Sequence, residues 1–153
     1  MPTDLVGPVL AMKGNADFGS PNFAQHLMHR VLESGRFDAH VARLRAAYQV
    51  KLAAMLEAAR DFLGPLEGVR WIDPRGGLYV WVELPATIDA GPGGRLFAEA
   101  QAAGVLYVPG EYCYPGEGVR KTNSLRLSFG VQSPRQIRRG MELLAAAIRR
   151  AMP

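Results

Sequence analysis

Apolar side chains recur every three or four residues in two segments of the N-terminal half, and this spacing predicts two helices. The first helix is expected to begin at Ser20, a residue type that often caps helices, which stands directly before a proline. Gly35 should end it, and Asp38 should cap a second, longer helix that continues to Gly64. Glycines and prolines interrupt the segment before Ser20, so residues 1–19 are predicted to be irregular.

Beyond the second helix, apolar and polar side chains alternate, which is typical of strands. Two such runs, Val69–Asp73 and Leu78–Leu84, flank a Pro-Arg-Gly-Gly turn and predict a β-hairpin. A short helix over Arg95–Ala103 and a short strand over Val105–Val108 should follow. A further strand is predicted over Ser124–Phe129, where every second residue is apolar.

The last predicted helix has a clear start signal, because Ser133 precedes a proline and stands three residues before Gln136. Its apolar positions have helical spacing and should be buried: Ile137, Met141, Leu144 and Ile148. The order of elements predicts an α+β fold, in which helices cover one face of a small, mainly antiparallel sheet and a long connecting helix lies N-terminal to it. One domain over residues 1–153, without an internal boundary, is expected.

The composition is that of a globular domain, since 48% of the 153 residues are hydrophobic and 21% are charged. Cys113 is the only cysteine, which excludes a disulfide scaffold and favours a reducing, cytoplasmic location. No apolar run approaches the roughly 20 residues of a membrane span, and residues 1–12 lack the basic leader of a signal peptide. The net charge of +4 is spread along the chain, so neither a membrane nor a nucleic acid is expected as a partner.

Arg126 is the residue most suggestive of a binding function. It lies in the middle of a predicted strand, on the face opposite Leu125 and Leu127. Its planar guanidinium, held on a rigid strand, would match a carboxylate with two parallel hydrogen bonds. The alternative is an ordinary solvent-exposed arginine. Ser124 and Ser128 should keep that face polar and open.

Two further features are weaker candidates. Tyr112 lies in a polar loop between two strands, where an aromatic ring can wall a pocket or simply pack the loop onto the body of the domain. Gly76 and Gly77 permit a turn with positive φ, and they could also allow a ligand to approach the backbone closely. These residues are therefore second to Arg126 as candidate site residues.

No catalytic or metal-binding constellation is expected. The three histidines do not have metal-ligand spacing together with a carboxylate, and no nucleophile or phosphate-binding motif is present. Each of the three lysines lies in a leader, on the polar side of a helix or in a loop, where little would lower its pKa for Schiff-base chemistry. Catalytic, cofactor-binding and metal-binding residues are accordingly predicted to be absent from this chain.

Several motifs together resemble one known family. The run from Pro74 to Pro85 is similar to the "P-x-G-G-x-F-x-W-x-x-L-P" segment of class I/II aminotransferases, the fold-type I enzymes that use pyridoxal phosphate. Residues 104–110 resemble their "G-V-x-x-x-P-G", and residues 123–129 resemble their "N-x-x-R-L-x-F". Residues 20–25 and 38–56 are similar to the helix pair that follows the cofactor lysine. Any one motif is weak, but four in the same order are specific.

The resemblance implies the C-terminal, small domain of such an enzyme. In the family, the arginine at the position of Arg126 binds the substrate α-carboxylate, and Gly76, Gly77 and the loop with Tyr112 would line the substrate side. The full-length enzyme is implied to use pyridoxal 5'-phosphate, an amino acid and a 2-oxo acid, and to form a homodimer. The family's Schiff-base lysine and most cofactor contacts belong to the large domain, which precedes this segment and is missing from it. We therefore expect an excised domain or truncated gene product that neither transaminates nor binds the cofactor tightly alone.

Two other functions stay open at this point. The same domain could serve as the aminotransferase-like effector module of a transcription regulator, or as a standalone protein-interaction module that uses the surface left open by the missing domain. The sequence does not reveal the preferred amino acid.

Overall fold

The computed structural model describes residues 1–152, which form two compact units, Met1–Leu44 and Arg45 onward. The expectation of a single domain over 1–153 stays a prediction. The helices are α1 (Thr3–Asp17), α2 (Asn22–Glu33), α3 (Arg36–Ala58), α4 (Arg95–Ala102) and α5 (Pro134–Ala151). The strands are β1 (Arg70–Ile72), β2 (Tyr79–Glu83), β3 (Val108–Pro109) and β4 (Ser124–Ser128). Within residues 1–152, no helix combines the length and the apolar character that a membrane crossing requires.

The N-terminal segment differs from the prediction, because residues 1–19 are mostly the helix α1 and not irregular. Pro8 lies inside this helix, and none of its residues is buried. Because α1 has no buried face, its sequence lacks the helical spacing of apolar residues that predicts an amphipathic helix. Its glycines and its proline are residues that usually interrupt helices, so the sequence did not predict α1. The last turn is held by an ion pair of 2.6 Å between Lys13 and Asp17, which lowers the pKa of that carboxyl.

The predicted helix pair is present with small changes at its ends. Pro21 takes the N-cap position of α2 and makes no side-chain cap bond, so the prediction of a cap at Ser20 was wrong. Gly35, with φ of +68°, separates the two helices as expected. Asp38 lies within the first turn of α3 and does not cap it, although a carboxylate there still favours the positive helix end.

The long helix ends in a single π-helical turn over Ala59–Leu63, and Gly64 follows it as predicted. Ala59 and Leu63 are fully buried in this turn. The Gly64 N–H closes the turn by donating to Ala59 O at 2.9 Å, which is the i to i+5 spacing of a π-helix.

The four strands form one sheet in the order β1-β2-β4-β3, and every neighbouring pair is antiparallel. This confirms the predicted α+β class with a small antiparallel sheet. β3 is shorter than the predicted Val105–Val108, because the Val105 backbone N–H still donates to Ala100 O at 2.9 Å, at the end of α4. β1 and β3, the two edge strands, have three and two residues.

One face of the sheet is packed against helices, and we call it the inner face. Val80 and Val82 of β2 and Leu125 and Leu127 of β4 are buried there. The helical positions that the sequence assigned to the core are also buried: Ile137, Met141, Leu144 and Ile148. The predicted capping box is present, since the Gln136 N–H donates to Ser133 Oγ at 3.3 Å and the Ser133 N–H donates to Gln136 Oε1 at 3.1 Å.

Tyr107, just before β3, brings a hydroxyl group into this buried region. Its hydroxyl donates to Ala90 O at 3.0 Å, and its ring packs edge-on against Phe97 of α4 at 5.6 Å between centroids. Burial raises the pKa of the Tyr107 phenol well above its ordinary value, and the nearby charge of Asp89 adds to the effect.

Candidate functional site

The strand register assigns the side chains of the sheet to its two faces. Arg126 of β4 pairs with Trp81 of β2 on one side and with Val108 of β3 on the other. Directly paired residues project to the same face of a sheet, so these three share the face opposite Leu125 and Leu127. We call this the outer face. Arg126 lies near its centre, and its assignment to this face agrees with the alternation in the sequence.

Arg126 is half-buried on the outer face and stacks on an aromatic ring. Its Cζ lies over the ring of Tyr79, 4.2 Å from the centroid. Its Nε is buried and has no hydrogen-bond partner among the described residues. Within residues 1–152, Arg126 forms no ion pair with an acidic side chain. A cation that is partly withdrawn from water without a counter-charge is a ready site for an anion.

The acidic side chain on the neighbouring strand does not serve as that counter-charge. Glu83 ends β2 and is held by two other cations, Arg70 at 3.6 Å and Lys121 at 3.8 Å. Its charge is therefore compensated without Arg126, whose guanidinium remains free for an external carboxylate.

Aromatic side chains line the region beside Arg126. Trp81, directly opposite Arg126, packs edge-on against Tyr114, with 6.2 Å between ring centroids and 71° between ring planes. Tyr112 lies in the 3-10 turn Gly110–Cys113 and is 63% exposed. Among the described residues it is thus Tyr114 that contacts Trp81. The sequence pointed to this loop but favoured Tyr112.

The two serines of β4 have different environments, and one expectation is corrected. Ser128 is exposed, as predicted. Ser124 is completely buried, so it does not keep the face open. Gly110 packs directly on it, and a Cβ at that glycine would overlap Ser124 Oγ. The serine is buried because the turn after β3 crosses it without a side chain of its own.

Gly76 and Gly77 lie in the turn between β1 and β2. Gly77 has φ of +81°, a conformation that side chains rarely adopt, which accounts for the glycine there. A Cβ added to either glycine would meet no atom within 4 Å. The turn therefore leaves open space above its backbone.

The three lysines are engaged in contacts that do not suit a cofactor-linking role. Lys51 donates to Gly130 O at 2.8 Å, Lys13 is bonded to Asp17, and Lys121 pairs with Glu83. None lies in a dry pocket that would favour the neutral amine. In the part of the chain that the structure describes, no three His, Cys, Asp or Glu side chains come close enough to hold a metal ion.

A cavity of about 340 Å³ lies elsewhere, between the end of β4, the Gly104–Leu106 segment and the first half of α5. Arg139 is the one titratable residue of its lining, and it is paired with Glu142 at 2.6 Å. This cavity offers apolar surface but no free charged group. Arg126 is not among its lining residues.

Comparison with known proteins gives consistent relatives. The chain is 35% identical over 141 residues to aromatic-amino-acid aminotransferase 1 of Thermococcus litoralis, which covers 92% of this chain and 32% of the relative. It superimposes with a TM-score of 0.85 on the crystal structure of the multiple substrate aminotransferase of Thermococcus profundus, at 33% identity. That match covers 98% of this chain and 36% of the structure. The chain thus spans about a third of the length of these relatives.

A second kind of relative is a regulator. The HTH-type transcriptional regulator YisV of Bacillus subtilis is 31% identical over 153 residues, which covers 99% of this chain and 29% of the regulator. No family model matches the chain.

Proposed function

We propose, from the chain's membership of the fold-type I, pyridoxal-phosphate-dependent aminotransferases, that it is their C-terminal, substrate-carboxylate-binding domain. Such enzymes move an amino group between an amino acid and a 2-oxo acid. The length of the match and the α+β fold support this assignment.

In this proposal Arg126 binds the α-carboxylate of the amino acid and of the 2-oxo acid. The observation that carries it is the uncompensated guanidinium in the middle of the outer face, with a buried Nε and no acidic partner within residues 1–152. A guanidinium offers two parallel N–H groups, which match the two oxygens of a carboxylate. The rigid strand fixes the direction of the fork, so the bound substrate has one orientation about its Cα.

Tyr112, Gly76 and Gly77 are proposed to border the substrate. The open space above the glycine turn supports this role, because a ligand can lie there without meeting a side chain. The exposed ring of Tyr112 lies on the 3-10 turn that precedes Tyr114, and Tyr114 touches Trp81 beside Arg126.

Pyridoxal phosphate, when bound, supplies an electron sink for chemistry at the substrate Cα. The residues of this chain do not fit the cofactor, because each lysine is exposed or held by oxygen atoms. We propose that the cofactor-linking lysine belongs to a part of the enzyme outside these residues. The chain alone then binds carboxylates but does not transaminate. A homodimer and a cytoplasmic location are proposed for the complete protein.

The test is a titration of the 153-residue chain with pyruvate, a simple 2-oxo acid, followed by NMR. Wild-type chain should bind weakly, with a dissociation constant of about 1–10 mM. Arg126→Ala should weaken binding at least tenfold, since it removes the charged half of a hydrogen-bonded ion pair. Arg135→Ala, which removes an exposed arginine on α5, is the matched control and should change nothing. Equal binding by Arg126→Ala and wild type would refute the proposed clamp.

A regulator's effector domain is the second candidate, supported by the match to YisV over 99% of the chain. In that case the same arginine would bind a carboxylate as a signal. The gene upstream of residue 1 distinguishes the two functions. A winged-helix segment there would favour the regulator, and an added carboxylate should then change the protein's affinity for its DNA site.

A further inference from the structure

Tyr79 of β2 contacts Arg126 of β4 through its aromatic ring. The two residues are not directly paired, since Tyr79 lies opposite Ser128 and Arg126 lies opposite Trp81. Tyr79 is therefore the diagonal neighbour of Arg126 on the adjacent strand, a distance that long and aromatic side chains can bridge. The Arg126 side chain extends toward β2, and its guanidinium lies over the Tyr79 ring, with Cζ 4.2 Å from the centroid.

The ring is the part of Tyr79 that makes this contact. At 4.2 Å the guanidinium carbon lies over the ring face, where the negative side of the quadrupole attracts a cation. The Tyr79 hydroxyl makes no hydrogen bond with any residue in 1–152, and the side chain is 45% exposed. Phenylalanine would thus supply the same surface.

We propose that Tyr79 is a positioning residue, whose ring holds the Arg126 guanidinium in the orientation that receives the substrate carboxylate. This inference rests on the proposed function of Arg126. An arginine has four rotatable side-chain bonds, and the unpartnered Nε leaves no hydrogen bond to fix them. The Tyr79 ring restricts the rotation of the Arg126 side chain on one side. Trp81 is the residue of β2 that pairs directly with Arg126. The carboxylate then meets a guanidinium that is already ordered.

The experiment compares three Tyr79 variants of the 153-residue chain in the pyruvate titration, observing the side-chain N–H of Arg126 by NMR. Tyr79→Phe should bind pyruvate as wild type does and keep the Arg126 resonance in place. Tyr79→Leu and Tyr79→Val, which keep an apolar side chain but remove the ring, should weaken binding about three- to tenfold. They should also shift the Arg126 resonance in the ligand-free chain, because the ring current above the guanidinium is lost.

The matched control is Tyr48→Leu, the same change at another tyrosine with a cation above its ring, Lys51 at 5.9 Å. It should leave pyruvate binding unchanged. Backbone amide spectra verify that every variant is folded. If Tyr79→Leu binds as wild type while Arg126→Ala does not, the positioning role is refuted and the carboxylate clamp stands. If Arg126→Ala also binds as wild type, or if wild-type chain does not bind, both proposals fail.

Discussion

The two faces of the sheet are built from the same strands but follow opposite rules. On the inner face, Val80, Val82 and Leu125 are fully buried against helices. On the outer face, Tyr79 and Arg126 remain partly open to solvent. Alternation along a strand sends adjacent residues to opposite faces, so a core side chain and a residue of the proposed carboxylate site are separated by one position in the sequence.

The treatment of polar groups shows the same contrast. On the helix side the buried hydroxyl of Tyr107 has an acceptor in Ala90 O. In the part of the chain that the structure describes, the two buried side-chain polar atoms without a partner, Ser124 Oγ and Arg126 Nε, belong to the outer face. Native interiors rarely leave such atoms unpaired. Ser124 Oγ is covered by Gly110, whereas the half-buried Arg126 is the one of the two that we propose an external carboxylate completes.

The largest expected effect is on the inner face. Leu125→Ala removes a fully buried side chain and leaves a cavity, so the free energy of unfolding should fall by about 2–5 kcal/mol. Ser128→Ala, three positions further along the same strand on the outer face, should change it by less than about 0.5 kcal/mol. Urea unfolding of both variants measures the difference. Similar losses for the two would contradict the division of labour between the faces.

The next effect concerns the close contact of Gly110 with Ser124. Gly110→Ala adds a Cβ that overlaps Ser124 Oγ, and relief requires a backbone shift costing about 1–3 kcal/mol. The double variant Gly110→Ala with Ser124→Ala should recover part of this loss, because the Oγ is gone while the Ser124 carbonyl remains 2.8 Å from the added carbon. An additive double-mutant cycle would show that the two residues do not interact.

A smaller effect is expected from pH. The pKa of Tyr107 is raised in the folded chain, so its contribution is complete at neutral pH. As the pH rises above about 10, the unfolded chain releases its phenol proton while the folded chain retains it, and stability falls. Tyr107→Phe should lose about 1 kcal/mol at neutral pH and should show a weaker decline above pH 10. Parallel curves for both proteins would refute the assignment.

Substitution of Arg126 should have little effect on stability. Arg126→Ala removes a partly buried cation that lacks a counter-charge, so the free energy of unfolding should stay within about 1 kcal/mol of wild type, or rise. The same variant should lose carboxylate binding. A large destabilisation would assign Arg126 to the architecture of the domain and remove the contrast between the faces.

Most of the fold could be predicted from patterns within short stretches of the sequence. The β-hairpin, the α5 capping box and the apolar period of α5 are each encoded within a few residues, and each is present. The sequence did not predict α1, because none of its residues is buried and the hydrophobic pattern that indicates a helix is missing. The predicted start of β3 at Val105 was too early, because the Val105 N–H donates to Ala100 O of the preceding helix. The run of apolar residues does not indicate this hydrogen bond.

The site was predictable only in part. The alternation in β4 assigned Arg126 to the face opposite Leu125, and the register agrees. Its environment depends on which residues of β2 lie across from β4, and a single sequence does not specify that register. The contribution of Tyr79 was therefore missed, although its position on the alternate face of β2 was visible. Ser124 was misjudged because its burial depends on a glycine from another strand's turn.

The short edge strands have a consequence for handling the isolated chain. Unpaired N–H and C=O groups along a sheet edge can recruit further strands, which is a common route to aggregation and amyloid. Here one edge offers three residues and the other two, and Pro109 contributes no N–H to a new partner. Few backbone groups are therefore available for an added strand at either edge of this sheet. Concentrated solutions of the chain should not form fibrils by strand addition at these edges.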